Sequence, residues 1–378
     1  MNFWPFILFA LIFAALVYAH FFLAYRSWRI SRWEEATDID QKYVRLEDYP
    51  ARSFRSKVSK WLTLPEQESD PRGTKRIRKG NENILVSNTA EYLPQSRSDD
   101  ILIVREFFKC LAGCTFNREI YVKGDAQIGA GTNLQAIAVD GNLTLGHNVQ
   151  IARWADSQGN MKIDKNSIVR DRVTAGRTIQ LARGVRARTV FAAAIRTGAN
   201  RTTEQERKEI PLAPKLELPP LETSEKQAAA RQSDQFDLKK LRKAGRDSWI
   251  YYGDLELSES FHLRASLVVR GNCVVPPGSV IDHDLKGKQS ISIGRDSVCR
   301  GNIIADENIS LGRSCRFYGI VHAGRALRLS GGVTGGDAGS KAVVFAEDVL
   351  EVEENVVVYG KLASDVYVEV VPETGRDS

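Results

Sequence analysis

Residues 290–307 read SISIGRDSVCRGNIIADE and residues 308–325 read NISLGRSCRFYGIVHAGR. The two blocks align at a spacing of 18: Ile291 with Ile309, Ile293 with Leu311, Gly294 with Gly312, Arg295 with Arg313, Gly301 with Gly319, Ile303 with Val321, Ala305 with Ala323. Leu327 and Leu329 carry the phase into a third block. A unit this short has no core of its own, so each copy must bury its apolar face against the next. The apolar pairs sit at i and i+2, the period of a strand with one face buried. Gly, Asn, Asp and Arg fill the positions between them, where turns belong. The spacing therefore predicts an all-β solenoid, a β-helix of about 18 residues per coil with three short strands and a triangular section.

The same period extends well beyond the quoted stretch. Leu143 and Leu145 recur as Met161 and Ile163, and again as Ile179 and Leu181; Ile151 recurs as Val169, and Val173 as Phe191. Ile101 and Ile103 are followed nineteen residues later by Ile120 and Val122. A first array is thus expected over 100–199. The second is expected over 248–371, with an excursion at Pro276, Pro277 and Gly278, its most regular coils between Ser290 and Ala342, and a frayed tail at 372–378. Between the arrays, 200–247 hold eleven Lys/Arg, nine Asp/Glu and four prolines. This composition reads as a linker that ends in a short helix over 224–246, with Phe236, Leu238 and Leu241 as its apolar stripe.

From Phe3 to Tyr25 no Asp, Glu, Lys or Arg occurs. As a helix the stretch is about 34 Å long, enough for a hydrocarbon core. Trp4 at one end and Tyr25, Trp28 and Trp33 at the other suit the two interfaces. No Lys or Arg precedes the run, which argues against a cleaved signal peptide. Residues 1–25 are therefore expected to be a single transmembrane α-helix. Arg26, Arg29 and Arg32 follow it directly and predict, by the positive-inside bias, an outer N-terminus and a cytoplasmic bulk. Residues 26–99 read as a basic juxtamembrane stalk, since 26–80 carry fourteen Lys/Arg against nine Asp/Glu.

Composition excludes several classes. The net charge of +6 over 378 residues is too small an excess to argue for nucleic acid, and no recognition motif accompanies it. The five cysteines form no CxxC pair, so neither a zinc site nor a redox motif is expected. Gly331–Lys341 reads GGVTGGDAGSK but lacks phosphate-loop spacing. Asp282, His283 and Asp284 are adjacent, and adjacent residues on a strand point to opposite faces, so they make a poor metal cluster. Arg295 and Arg313, one coil apart, predict a charged edge, as do Arg177 and Arg325. No catalytic, cofactor-binding or metal residue is assigned.

The whole-coil pattern, with Gly301-Asn302-Ile303-Ile304-Ala305 repeated as Gly319-Ile320-Val321-His322-Ala323, resembles the bactofilins, the polymer-forming cytoskeletal family of bacteria. The resemblance covers about 100–195 and 250–360. It implies a compact right-handed β-helix that self-associates end to end without a nucleotide or other cofactor, often at the inner membrane. The length of the chain, its two arrays and the charged insertion depart from the simple family pattern. The expected function is a membrane-anchored scaffold rather than an enzyme. Its partners would be the lipid bilayer, other copies of itself, and envelope or polysaccharide-assembly proteins. The alternative is a membrane-tethered acyltransferase-like enzyme on a left-handed β-helix, with His322 as general base.

Overall fold

Strands of two to five residues, each alternating inward and outward side chains, recur along most of the chain. In the first array three sides repeat in the order Leu143–Leu145, Gln150–Ile151, Trp154–Ser157, and in the second Ile291–Ile293, Val298–Cys299, Ile303–Ala305. Each strand pairs in parallel with the same side of the next coil: Leu143 with Met161 and Met161 with Ile179, Ile291 with Ile309 and Ile309 with Leu327. The repeat residues Leu143, Leu145, Met161, Ile163, Ile179, Leu181, Ile291, Ile293, Ile309, Leu311, Leu327 and Leu329 are all at most 2% exposed and form one continuous core. The protein is a three-sided β-solenoid of about 14 turns. The computed structural model describes residues 47–63, 68–69, 74–80, 82–198, 239–244, 248–257 and 259–374. Pro50–Ser378 form one compact unit.

The corners explain the polar residues between the strands. The turn from first to second side places one residue in the left-handed region in coil after coil: Gln95, Gly113, Gly131, Asn148, Asn166 and Gly184, then Gly278, Asp296, Ser314, Gly332 and Asn355. Gly and Asn tolerate that conformation best. The corner before the first side is held by a side-chain ladder. The Asn142 backbone N–H donates to Asp125 Oδ1 at 2.7 Å, and that of Asn160 to Asn142 Oδ1 at 2.9 Å. In the second array the Asn272 N–H donates to Asp254 Oδ1, the Ser290 N–H to Asn272 Oδ1 and the Ala326 N–H to Asn308 Oδ1. Gly301 and Gly319 serve a different need. A Cβ on Gly301 would lie 2.3 Å from the carbonyl carbon of His283, and one on Gly319 2.6 Å from the Gly301 oxygen. Backbone of the preceding coil fills the space of a side chain there.

Both arrays run third side, first side, second side, yet they do not stack head to tail. The last coil of the first array, Arg186–Thr197, pairs antiparallel with Val357–Val371, the last coil of the second. Third side meets third side (Val190 with Leu362), first meets second (Ile195 with Val358), and second meets first (Ala187 with Val368). The two arrays make one rod whose chain polarity reverses at the middle. The C-terminal strand Val357–Val371 is thus used within the chain, at the junction.

Several expected boundaries move. The stalk assigned to 26–99 is partly solenoid: Glu82–Tyr92 form strands of the first coil, paired in parallel with Ile101–Cys110, and Lys75–Lys79 fold back antiparallel on them. Tyr49–Trp61 are an α-helix lying on the third side of the first array. Ala51, Phe54, Val58 and Trp61 pack on Ile84, Ile101, Ile103, Ala136, Ala138 and Trp154. That helix also corrects a register. Leu102 pairs with Ile120 and Val104 with Val122, so the spacing is 18, not nineteen, and Ile101 and Ile103 face the helix. The run ILIV is buried on both faces, and such a strand shows no alternation from which to read its phase. Val173 pairs with Val190 rather than Phe191, because the register slips between Val169 and Arg172.

In the second array the regular coils begin at Ser248. Pro276–Gly278 are the ordinary corner of a coil in register, not an excursion. The end of the helix expected over 224–246 is instead a strand, Leu241–Lys243, antiparallel to Trp249–Tyr251; Phe236 and Leu238 lie outside the described residues. The tail expected to fray from 372 is tied down as far as Thr374, which donates to Glu353. The expected transmembrane helix at 1–25 and the flank Arg26, Arg29 and Arg32 lie outside the described residues, among which no helix is long and apolar enough to cross a membrane.

The helix on the third side is held by its apolar stripe, so Trp61→Ala should cost about 3–5 kcal/mol. Native-state hydrogen exchange should then speed up over 51–61 and stay unchanged over the coils at 143–181.

Candidate functional site

Three surfaces carry more than the repeat requires, and the junction is the most elaborate. Around it Arg186 meets Glu369 at 2.8 Å and Arg188 meets Asp365 at 3.9 Å. The Arg186 guanidinium lies 5.2 Å from the Tyr367 ring centre, and Lys341 Nζ 5.3 Å from that of Phe191. Thr197 Oγ1 donates to the Glu353 carbonyl at 2.6 Å and accepts the Val356 N–H at 3.0 Å. The Glu353 side chain is fully buried. It accepts from Arg328 Nη2 at 2.9 Å, from the Gly331 N–H at 2.8 Å and from the Thr374 hydroxyl. Burial alone would raise its pKa, but these donors outweigh it and hold the carboxyl below its ordinary 4.5.

The second surface is the helix-covered side. Arg55, on that helix, reaches Asp140 at 2.7 Å, Asp156 at 2.6 Å and the Val139 carbonyl at 2.9 Å. Tyr121 donates to Asp140 Oδ2 at 2.6 Å, and Thr174 donates to Asp156. Every acceptor of the cluster faces a donor, which makes it a clamp for the helix. The third surface is a groove of about 470 Å³ on the first side of the second array. Val274, Ser292 and Ser310 line its floor, and Arg328 paired with Glu351 at 3.6 Å closes one end.

The residues weighed from sequence as chemical candidates are dispersed. His322 stands on the outward face of the third side, 5.2 Å from the Phe345 ring centre and 3.7 Å from Glu347. It does not line the groove. Asp282 accepts from His262 at 2.5 Å and from Arg300, both on neighbouring coils. Asp284 binds the Asn302 N–H at 2.8 Å. The adjacent Asp282 and Asp284 thus serve different partners, and no group of metal-binding side chains occurs among the described residues. Gly331–Lys341 span two corners with the strand Thr334–Gly335 between them, and Asp337 caps the second, its Oδ1 accepting from the Gly339 and Ser340 N–H groups. Arg313 is drawn to Thr374 and Glu373, and Arg295 lies 3.9 Å from Asp296. The cysteines are buried thiols. Burial pushes Cys110 and Cys315 up to about 11, and Cys273 and Cys299 to about 12. At neutral pH these four thiols lack the thiolate that reactivity requires.

Sequence reasoning missed the junction, because its partners lie far apart in the chain. It also missed the Arg55 clamp, although Ala51, Phe54, Val58 and Trp61 fall at helical spacing and mark a face.

A carboxyl whose folded pKa is depressed contributes stability above its unfolded pKa and loses that contribution as pH falls through the folded value. Glu353 should therefore stabilise the junction at pH 7 and lose that contribution progressively as pH falls below its ordinary 4.5 towards the lower folded value. Glu353→Gln should cost about 1–3 kcal/mol at pH 7, and urea unfolding should show the difference from the unaltered chain shrinking in acid. No family model, curated protein or solved structure matches this chain.

Proposed function

We propose that this chain is a non-enzymatic, membrane-anchored scaffold of bactofilin-like character. In this reading residues 1–25 cross the inner membrane with the N-terminus outside, and the rod stands on the cytoplasmic face. There it self-associates or recruits envelope or polysaccharide-assembly proteins. A right-handed coil is part of the same proposal.

The observation that carries it is the pairing of Arg186–Thr197 with Val357–Val371. It supports the reading because an exposed coil edge in this protein is met by another coil edge. Unpaired strand edges are templates for further strands. Since the C-terminal edges are consumed internally, association between copies falls to the opposite ends. Lys75–Lys79 and Leu241–Lys243 shield one side at each end. Among the described residues, no strand pairs with the outer edges of Ala90–Tyr92 and Arg97–Ser98, or of Leu255–Glu256 and His262–Leu263. Two such ends per rod favour linear assembly.

Protein lacking residues 1–46 should sediment as oligomers or filaments without nucleotide, and negative-stain images should show rods joined at their tips. The full chain should stay with membranes after alkaline carbonate washing. A strictly monomeric rod across a hundredfold concentration range, or release of the full chain by carbonate, would contradict the proposal.

A further inference from the structure

A pocket of about 350 Å³ opens where the helix Tyr49–Trp61 meets the antiparallel hairpin of Lys75–Lys79 and Glu82–Tyr92. Its floor is apolar, made of Phe54, Trp61 and Ile101. The Phe54 ring meets Trp61 edge to face at 6.1 Å and lies 5.9 Å from Trp154, so the floor belongs to a packed aromatic cluster. The Arg55 clamp anchors the same helix to the coils and holds that wall of the pocket in place.

The walls are charged. Lys57 and Lys60 come from the helix and Lys79 from the hairpin. Lys79 follows Ile77 by two residues, so strand alternation puts it on the face that Ile77 turns to the helix. Glu82, paired with Lys79 across the hairpin, and Glu119 complete the lining. Glu119 is taken by Arg153 at 2.9 Å. Among the described residues Lys57, Lys60 and Lys79 enter no ion pair. Three lysines are thus offset by Glu82 alone. Lys57 and Lys60 stand three apart on one helix, where like charges repel. The contrast is with Arg55 on the same helix, which has Asp140 and Asp156 as partners.

An ammonium group carries three donors and no acceptor. The three lysines therefore offer only donors and positive charge, and a phosphate group, with several acceptor oxygens, uses both. A bare phosphate would leave the apolar floor unfilled. The volume lies in the range of small-molecule sites, about 300–1,000 Å³. We propose that this pocket binds an organic phosphate, its phosphate held by Lys57, Lys60 and Lys79 and its apolar part resting on Phe54, Trp61 and Ile101. Two sources carry that chemistry, the headgroup of an anionic lipid and a soluble phosphate ester.

Calorimetric titration of the full chain in an uncharged detergent tests this with inorganic phosphate, phenyl phosphate and dihexanoyl phosphatidic acid. Both organic phosphates should bind, one per chain and about tenfold tighter than inorganic phosphate. The tighter of the two identifies the source. Lys57→Gln with Lys60→Gln should weaken binding by about tenfold or more, with hydrogen exchange over 51–61 unchanged. Glu82→Gln should tighten it, which damage to the fold would not do. Lys162→Gln, an exposed cation on the first side, should leave it as it is. Absence of binding by both organic phosphates, binding no tighter than that of inorganic phosphate, binding indifferent to the double lysine substitution, or an equal loss in Lys162→Gln would overturn the inference.

Discussion

The last coil of a β-solenoid leaves a row of backbone N–H and C=O groups that only another strand can satisfy. In this protein the last coils of two arrays satisfy each other. Arg186–Thr197 lies antiparallel to Val357–Val371, so the core passes through the junction without a break: Val190 and Leu362 are fully buried there, and Ile195 and Val358 nearly so. Everything else follows from that pairing. It makes one rod of two arrays, reverses chain polarity at mid-length, and puts an N-terminal coil at each tip.

The reversal accounts for features that a single repeat would not need. The second and first sides exchange across the junction, which brings Arg186 to Glu369 and Arg188 to Asp365. Glu353, a buried carboxylate, is tolerated because Arg328, the Gly331 N–H and Thr374 all donate to it. Across the junction Thr197 donates to the Glu353 carbonyl and accepts the Val356 N–H, which completes the backbone pairing of the two arrays. The third sides alone meet like to like, and only they form a face that runs the length of the rod on equivalent strands.

The coil period was legible because one face of each strand looks inward and the other towards water. At Leu143–Leu145 or Ile309–Leu311 that alternation is clean, and the corners are marked by Asn, Asp and Gly in left-handed conformations. The reading slipped where that condition fails. Ile101–Val104 is buried on both faces, so its phase was hidden. At Val169–Arg172 a bulge moves the register by one residue. The helix Tyr49–Trp61 was masked by its charge: Arg52, Arg55, Lys57 and Lys60 suggested a solvated stalk, although Arg55 is turned inward to Asp140 and Asp156. The junction was not legible at all, since strand pairing between segments some 170 residues apart leaves no local pattern. Of the candidate surfaces, sequence therefore yielded the residues of the coils but not their meeting.

The central claim is the tail-to-tail junction, and a distance across the whole rod tests it. Spin labels at Leu93 and Glu259, both exposed, would sit in the first coils of the two arrays. With about 14 turns joined end to end, they lie about 60 Å apart at the coil spacing, and electron–electron dipolar spectroscopy should return one narrow distribution near that value. A broad distribution, or one centred well below it, would mean that the arrays are not joined through their last coils.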